Sequence, residues 1–197
     1  MHPNNPANQN PQFAAEVFDA AIRPHSWLRT ARRLRSSADA IFKKEDPIAR
    51  KFWAAAWHAT KTGKQFNEMR YPFPNFDAAY MLIAFSIENL LKGLLIAKKL
   101  VTFDSKNSIP SNLRTHDLEK LERLASPIAR LDKHSLYSLT YMSEWRGRYP
   151  MPTKVDKFWP MHDDGKMKTP GLVPEDHAKI FSYCDQLESE LTRLLAD

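Results

Sequence analysis

Apolar and polar positions alternate along this chain with a helical period almost throughout. From Ser26 onward, Trp27, Ala31, Leu34, Ala38, Ile41 and Phe42 recur at steps of three and four. Arg29, Arg32, Arg33 and Ser36 fall on the other side, which predicts an amphipathic helix. Asp46-Pro47 predicts its end. The same pair is also a helix-start signal, an N-cap followed by proline in the first turn, and Ile48, Phe52, Ala55, Ala56 and Ala59 then mark a second helix. These two are expected to fold as a tight helical hairpin. Arg70 to Asn75 is a breaker, because two prolines in three residues push their predecessors out of the helical region. From Asp77 to about Val101 the chain is apolar nearly all round, which predicts a central helix covered on several sides. A fourth helix is expected from near Thr115 to Pro127, a fifth from Lys133 to about Arg146, and a last from Pro174 or Glu175 to near Leu195. The last carries Ile180, Cys184, Leu187, Leu191 and Leu194 on one stripe. No alternating strand pattern competes, so the expected fold is all-α, a helical bundle of five to six helices.

Residues 1–25 read as a flexible tail, since the first twelve hold three prolines and four asparagines and almost nothing apolar. Residues 26–197 read as a single domain, with 26–75 a helical extension and 76–197 the core. Five of the fourteen prolines lie in 147–174, an irregular stretch expected to cover or border something. The longest apolar run, Ala78 to Ile87 with one serine, is short of a membrane span, and the N-terminus lacks a signal-peptide layout. Neither a membrane protein nor a secreted one is expected. With Cys184 as its one cysteine, the chain can form no internal disulfide and suits a reducing cytoplasm.

Charge changes this picture in one place. The net charge of +6 arises wholly in residues 1–70, where 12 Lys/Arg face 6 Asp/Glu, while the remainder is balanced. Arg29, Arg32 and Arg33 are therefore the candidate nucleic-acid surface, against the plainer reading of a solvated helix face.

Three constellations could carry chemistry. Ser86, Glu88, Asn89 and Lys92 interrupt the apolar helix. Glu88 and Lys92 stand four apart in the favourable order, either as an internal pair that fixes helix register or as a pocket carboxylate with its cation. Ser86, Asn89 and Gly93 mark a line where another helix can come close. His116-Asp117 opens the fourth helix, with Thr115 or His116 a candidate N-cap; His116 either orients a neighbouring helix or does acid–base work. His134, Tyr137, Tyr141 and Trp145 form an aromatic stripe running into Arg146, Arg148 and Tyr149, read either as core or as a groove for nucleotide or RNA. Lys154 and Lys157 adjoin it. No Gly-rich phosphate loop, GxSxG, HExxH or EF-hand spacing is present, and His162-Asp163-Asp164 reads as a solvated turn, so neither a metal nor a cofactor is expected.

The segments Ser86-Ile87-Glu88-Asn89-Leu90-Leu91-Lys92-Gly93, His116-Asp117-Leu118-Glu119-Lys120-Leu121 and Trp145-Arg146-Gly147-Arg148-Tyr149-Pro150, in this order, resemble the HEPN (higher eukaryotes and prokaryotes nucleotide-binding) superfamily. The resemblance covers about residues 76–195. It implies an up-and-down bundle, a homodimer, nucleotide or RNA as ligand, and a role in toxin–antitoxin or defence systems, where a nucleotidyltransferase is the implied protein partner. Ribonuclease members share an arginine followed by four to six residues and a histidine. No histidine here has an arginine at that distance; Arg130 to His134 leaves three intervening residues and Arg50 to His58 leaves seven. The expectation is therefore a binding protein rather than an enzyme, with Glu88, Lys92, Tyr141, Trp145, Arg146 and Arg148 as ligand-binding residues. The alternatives are an adaptor bundle that meets a protein partner, and a degenerate metal-independent endoribonuclease in which His116, Arg148 and Tyr149 would act.

Overall fold

Asp77–Ala97 folds as one helix without a polar face, and its burial organises everything else. In the computed structural model, residues 18–19, 22–67, 70–72, 74–101, 103, 110–146, 172 and 174–196 are described, the side chains of 145, 146, 174 and 175 excepted. Among them five helices are bounded and no strand occurs: α1 (Pro24–Lys61), α2 (Asp77–Ala97), α3 (Leu118–Ala125), α4 (Lys133–Tyr141) and α5 (Pro174–Ala196). A 3-10 turn, Ser111–Leu113, precedes α3, and a π-helical turn, Met142–Arg146, continues α4. The protein is an all-α bundle around α2.

Ile83, Ile87, Leu90, Leu91, Leu94 and Leu95 of α2 are fully buried, and α1, α3, the π-helical turn and α5 all pack on that helix. By length and composition alone α2 could cross a membrane, but most of it is covered by the other helices. It stops at Ala97, short of the Val101 that apolarity suggests. Lys99 adopts a left-handed φ of 56°, and the Leu100 amide reaches back to the Leu95 carbonyl at 2.9 Å, a C-terminal cap that closes the last turn. Gly93 lies where α1 and α5 converge closely on α2. A Cβ there would lie 2.7 Å from Leu191 Cδ2 and 3.3 Å from Trp27 Cβ.

The expected hairpin over 26–75 is not formed. α1 runs unbroken from Pro24 to Lys61 with Pro47 inside it, although an interior proline costs roughly 3 kcal/mol. Burial on both sides of the proline outweighs that cost. Phe42 packs in the main core, and Phe52 is buried beyond it beside Phe66. The Asp46–Arg50 pair bridges the turn at 2.8 Å, and Glu45 Oε2 accepts the Asn75 amide at 2.9 Å. Asp46 is thus a mid-helix ion-pair partner rather than a cap. The remaining boundaries follow the sequence pattern closely, and the stripe Ile180, Cys184, Leu187 and Leu191 of α5 is buried as expected.

Candidate functional site

Glu88 and Lys92 lie one turn apart on α2, and both are buried, 5% and 4% exposed. Lys92 Nζ donates to Glu88 Oε1 at 2.6 Å. The other carboxylate oxygen, Oε2, lies 2.9 Å from His116 Nδ1, which reaches in from the segment before α3. A side chain 28 positions away thereby completes a Lys–Glu–His cluster. Neighbouring bonds fix the histidine in place. Asp117, not Thr115 or His116, caps α3 through its side chain to the Lys120 amide at 2.9 Å. The Thr115 hydroxyl instead accepts the Asp117 amide at 3.1 Å. The Leu118 amide is taken by Thr140 Oγ1 on α4 at 3.1 Å, and Leu113 is buried just upstream.

An ionised carboxylate can only accept, so the contact with Glu88 Oε2 favours the tautomer of His116 that has its proton on Nδ1 and Nε2 as the acceptor. Its side chain is 43% exposed while those of Glu88 and Lys92 are closed off, so the histidine is the cluster's route to solvent. Lys92 Nζ also lies 5.9 Å from the centre of the Trp27 ring, and Trp27 Nε1 is buried with no hydrogen-bond partner among the described residues. That cluster offers an acid–base group on a fixed carboxylate, with a buried cation and a spare indole donor beside it.

Two further buried carboxylates were not marked by the sequence pattern. Glu122 Oε1 accepts from Tyr183 Oη at 2.7 Å and from the Leu131 amide at 2.9 Å; burial, then the Glu122 contact, drives the phenol far above its usual range. Glu190 pairs with Lys98 at 2.7 Å and accepts the Ile128 amide at 2.8 Å. Lys98 in turn donates to the Ala125 and Ser126 carbonyls at the end of α3. These groups tie the α3–α4 connection to α2 and α5. Cys184 is buried at the centre with Ser86 at 3.6 Å, and burial pushes its thiol up to about 11. Ser86 Oγ also donates to the Ala31 carbonyl at 2.8 Å, so the small-residue line on α2 does meet α1 closely.

The aromatic stripe resolves differently from a core face. Leu136, Leu139 and Met142 point into the core, whereas Tyr137 and Tyr141 are half-buried neighbours and His134 is exposed. The π-helical turn that holds Trp145 and Arg146 packs on α2, and such turns recur at functional sites. The side chains of Trp145 and Arg146, and all of Arg148, Tyr149, Lys154, Lys157 and His162-Asp163-Asp164, lie outside the described residues. Of the basic surface, Arg29 and Arg33 are exposed, but Arg32 is bound to Glu188 of α5 at 2.8 Å, and Arg35 likewise pairs with Asp185. Arg32 is thus partly committed to joining α1 to α5. Among the described residues no cluster of three His, Cys, Asp or Glu assembles. No family model, curated protein or solved structure matches this chain.

Proposed function

We propose that this protein is a HEPN-like domain that binds a nucleotide or RNA at the cluster of Glu88, Lys92 and His116, with Tyr141, Trp145, Arg146 and Arg148 as the other contributors. The observation that carries this reading is the Glu88 carboxylate held between Lys92 and His116, which unites two of the three segments on which the resemblance rests. In the same reading the chain acts as a cytoplasmic homodimer, with a nucleotidyltransferase as partner in a toxin–antitoxin or defence setting. Titration of a fluorescent mononucleotide at low salt tests it. His116→Ala and Arg146→Ala should each weaken binding by about tenfold, the loss expected for one charge-assisted bond. Unchanged affinity in both variants refutes the assignment.

A second reading is favoured by one contact. A carboxylate-held imidazole that reaches solvent is suited to proton transfer, so His116 can serve as the acid–base group of a metal-independent cleavage of single-stranded RNA. Incubation with a short RNA in the presence of chelator distinguishes the two, since binding alone yields no products.

A further inference from the structure

The first part of α1 is bound into the shared core; its last four turns are not. Phe52 is edge-on to Phe66 at 5.2 Å, Phe66 lies against Tyr71, and the Lys64 amide closes onto the Ala59 carbonyl, so this end of the helix rests on the segment that follows it. On another face Trp53 and Trp57 are 53% and 64% exposed. Both rings are nonetheless held. Trp53 is edge-on to Phe52 at 5.1 Å, and Lys61 Nζ lies 4.8 Å from the centre of the Trp57 ring.

The electrostatic surroundings are one-sided. Arg50 and Lys61 are exposed on the same side of the helix as the two rings, Lys51 and Lys64 are exposed elsewhere on this end, and the one acid between residues 46 and 64, Asp46, is paired with Arg50 at 2.8 Å. A second copy of the chain would set this positive end against itself, whereas a polyanion neutralises it. Spacing points the same way. Positions four apart on a helix are separated by about 6 Å along the axis, close to the two stacking intervals of roughly 3.4 Å each that one base between two rings would fill.

We propose that the exposed tryptophan pair on the basic end of α1 is a stacking platform for single-stranded RNA. A base packs on Trp53 and Trp57, and the adjoining phosphates meet Arg50 and Lys61. The choice of RNA rests on the functional reading above; the platform itself is a separate surface on a helix that lies outside the HEPN-like segments.

The test is fluorescence anisotropy of a labelled ten-nucleotide oligoadenylate with the full chain at low salt. The intact protein should bind it with an affinity that falls steeply as salt rises, and Trp53→Ala/Trp57→Ala should bind at least tenfold more weakly with unchanged circular dichroism. Trp53→Phe/Trp57→Phe, which keeps the ring faces, should stay within about threefold of wild type. A paired duplex of the same length should bind less well, because its bases are not free to stack. Wild-type affinity in the double alanine variant overturns the proposal, as does equal affinity for duplex, or a dimer that becomes monomeric only in that variant. His116→Ala separates the two readings. If it leaves mononucleotide binding intact while the tryptophan variant loses the oligomer, the cluster assignment falls and the platform stands; the reverse pattern removes the platform alone.

Discussion

Glu88 and Glu122 are both carboxylates buried in a helical bundle, yet their partners differ in kind. Glu122 is met by a backbone amide, a tyrosine hydroxyl that stays protonated, and Arg130 at 3.5 Å. Every one of those groups belongs to the frame, and together they fix the connection from α3 to α4. Among the described residues Glu88 is met by two side chains, an ammonium and an imidazole, and one of them reaches solvent. A carboxylate that anchors backbone is built to stay still; one that holds a half-exposed histidine orients that ring at the edge of solvent.

The sharpest way to break this contrast is to remove Lys92. Lys92→Met leaves the Glu88 charge buried with one partner gone, and urea unfolding should show a loss of about 3 to 5 kcal/mol. Glu88→Leu/Lys92→Met should recover most of that, because an apolar pair of similar volume needs no compensation. A single variant as stable as wild type would mean that the pair is not closed off from water. Next in size is Glu122→Ala, which strands the Leu131 amide and the Tyr183 hydroxyl; about 2 to 4 kcal/mol should be lost, with mononucleotide affinity unchanged. A fall in affinity at constant fold would erase the distinction between the two carboxylates.

Gly93→Ala comes third. Its new methyl would press on Leu191 and Trp27 beside the Lys92 cluster, and thermal melts should report a loss of about 1 to 3 kcal/mol. The smallest effect is expected at Asp132, which caps α4 through the Ser135 amide and hydroxyl and pairs with Lys179 at 2.7 Å. Burial alone would raise this carboxyl, but the Lys179 ammonium and the Ser135 donors outweigh it and hold the group well below the usual carboxylate range. Since the folded value lies under the unfolded one, the stabilisation is complete above the ordinary carboxylate range and is lost as pH falls below about 4. Asp132→Asn should cost about 1 kcal/mol at neutral pH and flatten the acid limb of a stability–pH curve; an unaltered limb would assign that dependence to other carboxylates.

Much of the frame was legible because α-helical burial leaves a period in the sequence. The stripe of α5 and the all-round apolarity of α2 dictate where those helices lie, and the four-residue spacing of Glu88 and Lys92 fixes their contact before any fold is known. Pro47 misleads because the local signal for a break is real but weaker than the burial of Phe42 and Phe52 on either side of it. The contact of His116 with Glu88 left no local trace, since two segments 28 positions apart meet only once α3 is capped and seated. Glu122 and Lys98 look like solvated charges within their own helices, and only the tertiary arrangement turns them inward. Trp53 and Trp57 could have been noticed as the large apolar residues that fall off the stripe of their helix.

Cys184 gives this bundle a built-in clock. The lone thiol is enclosed where α1, α2 and α5 converge and its proton is held tightly, so an aromatic disulfide reagent can reach it only during excursions that part those helices. The rate at which the native protein is labelled therefore counts openings of the innermost layer.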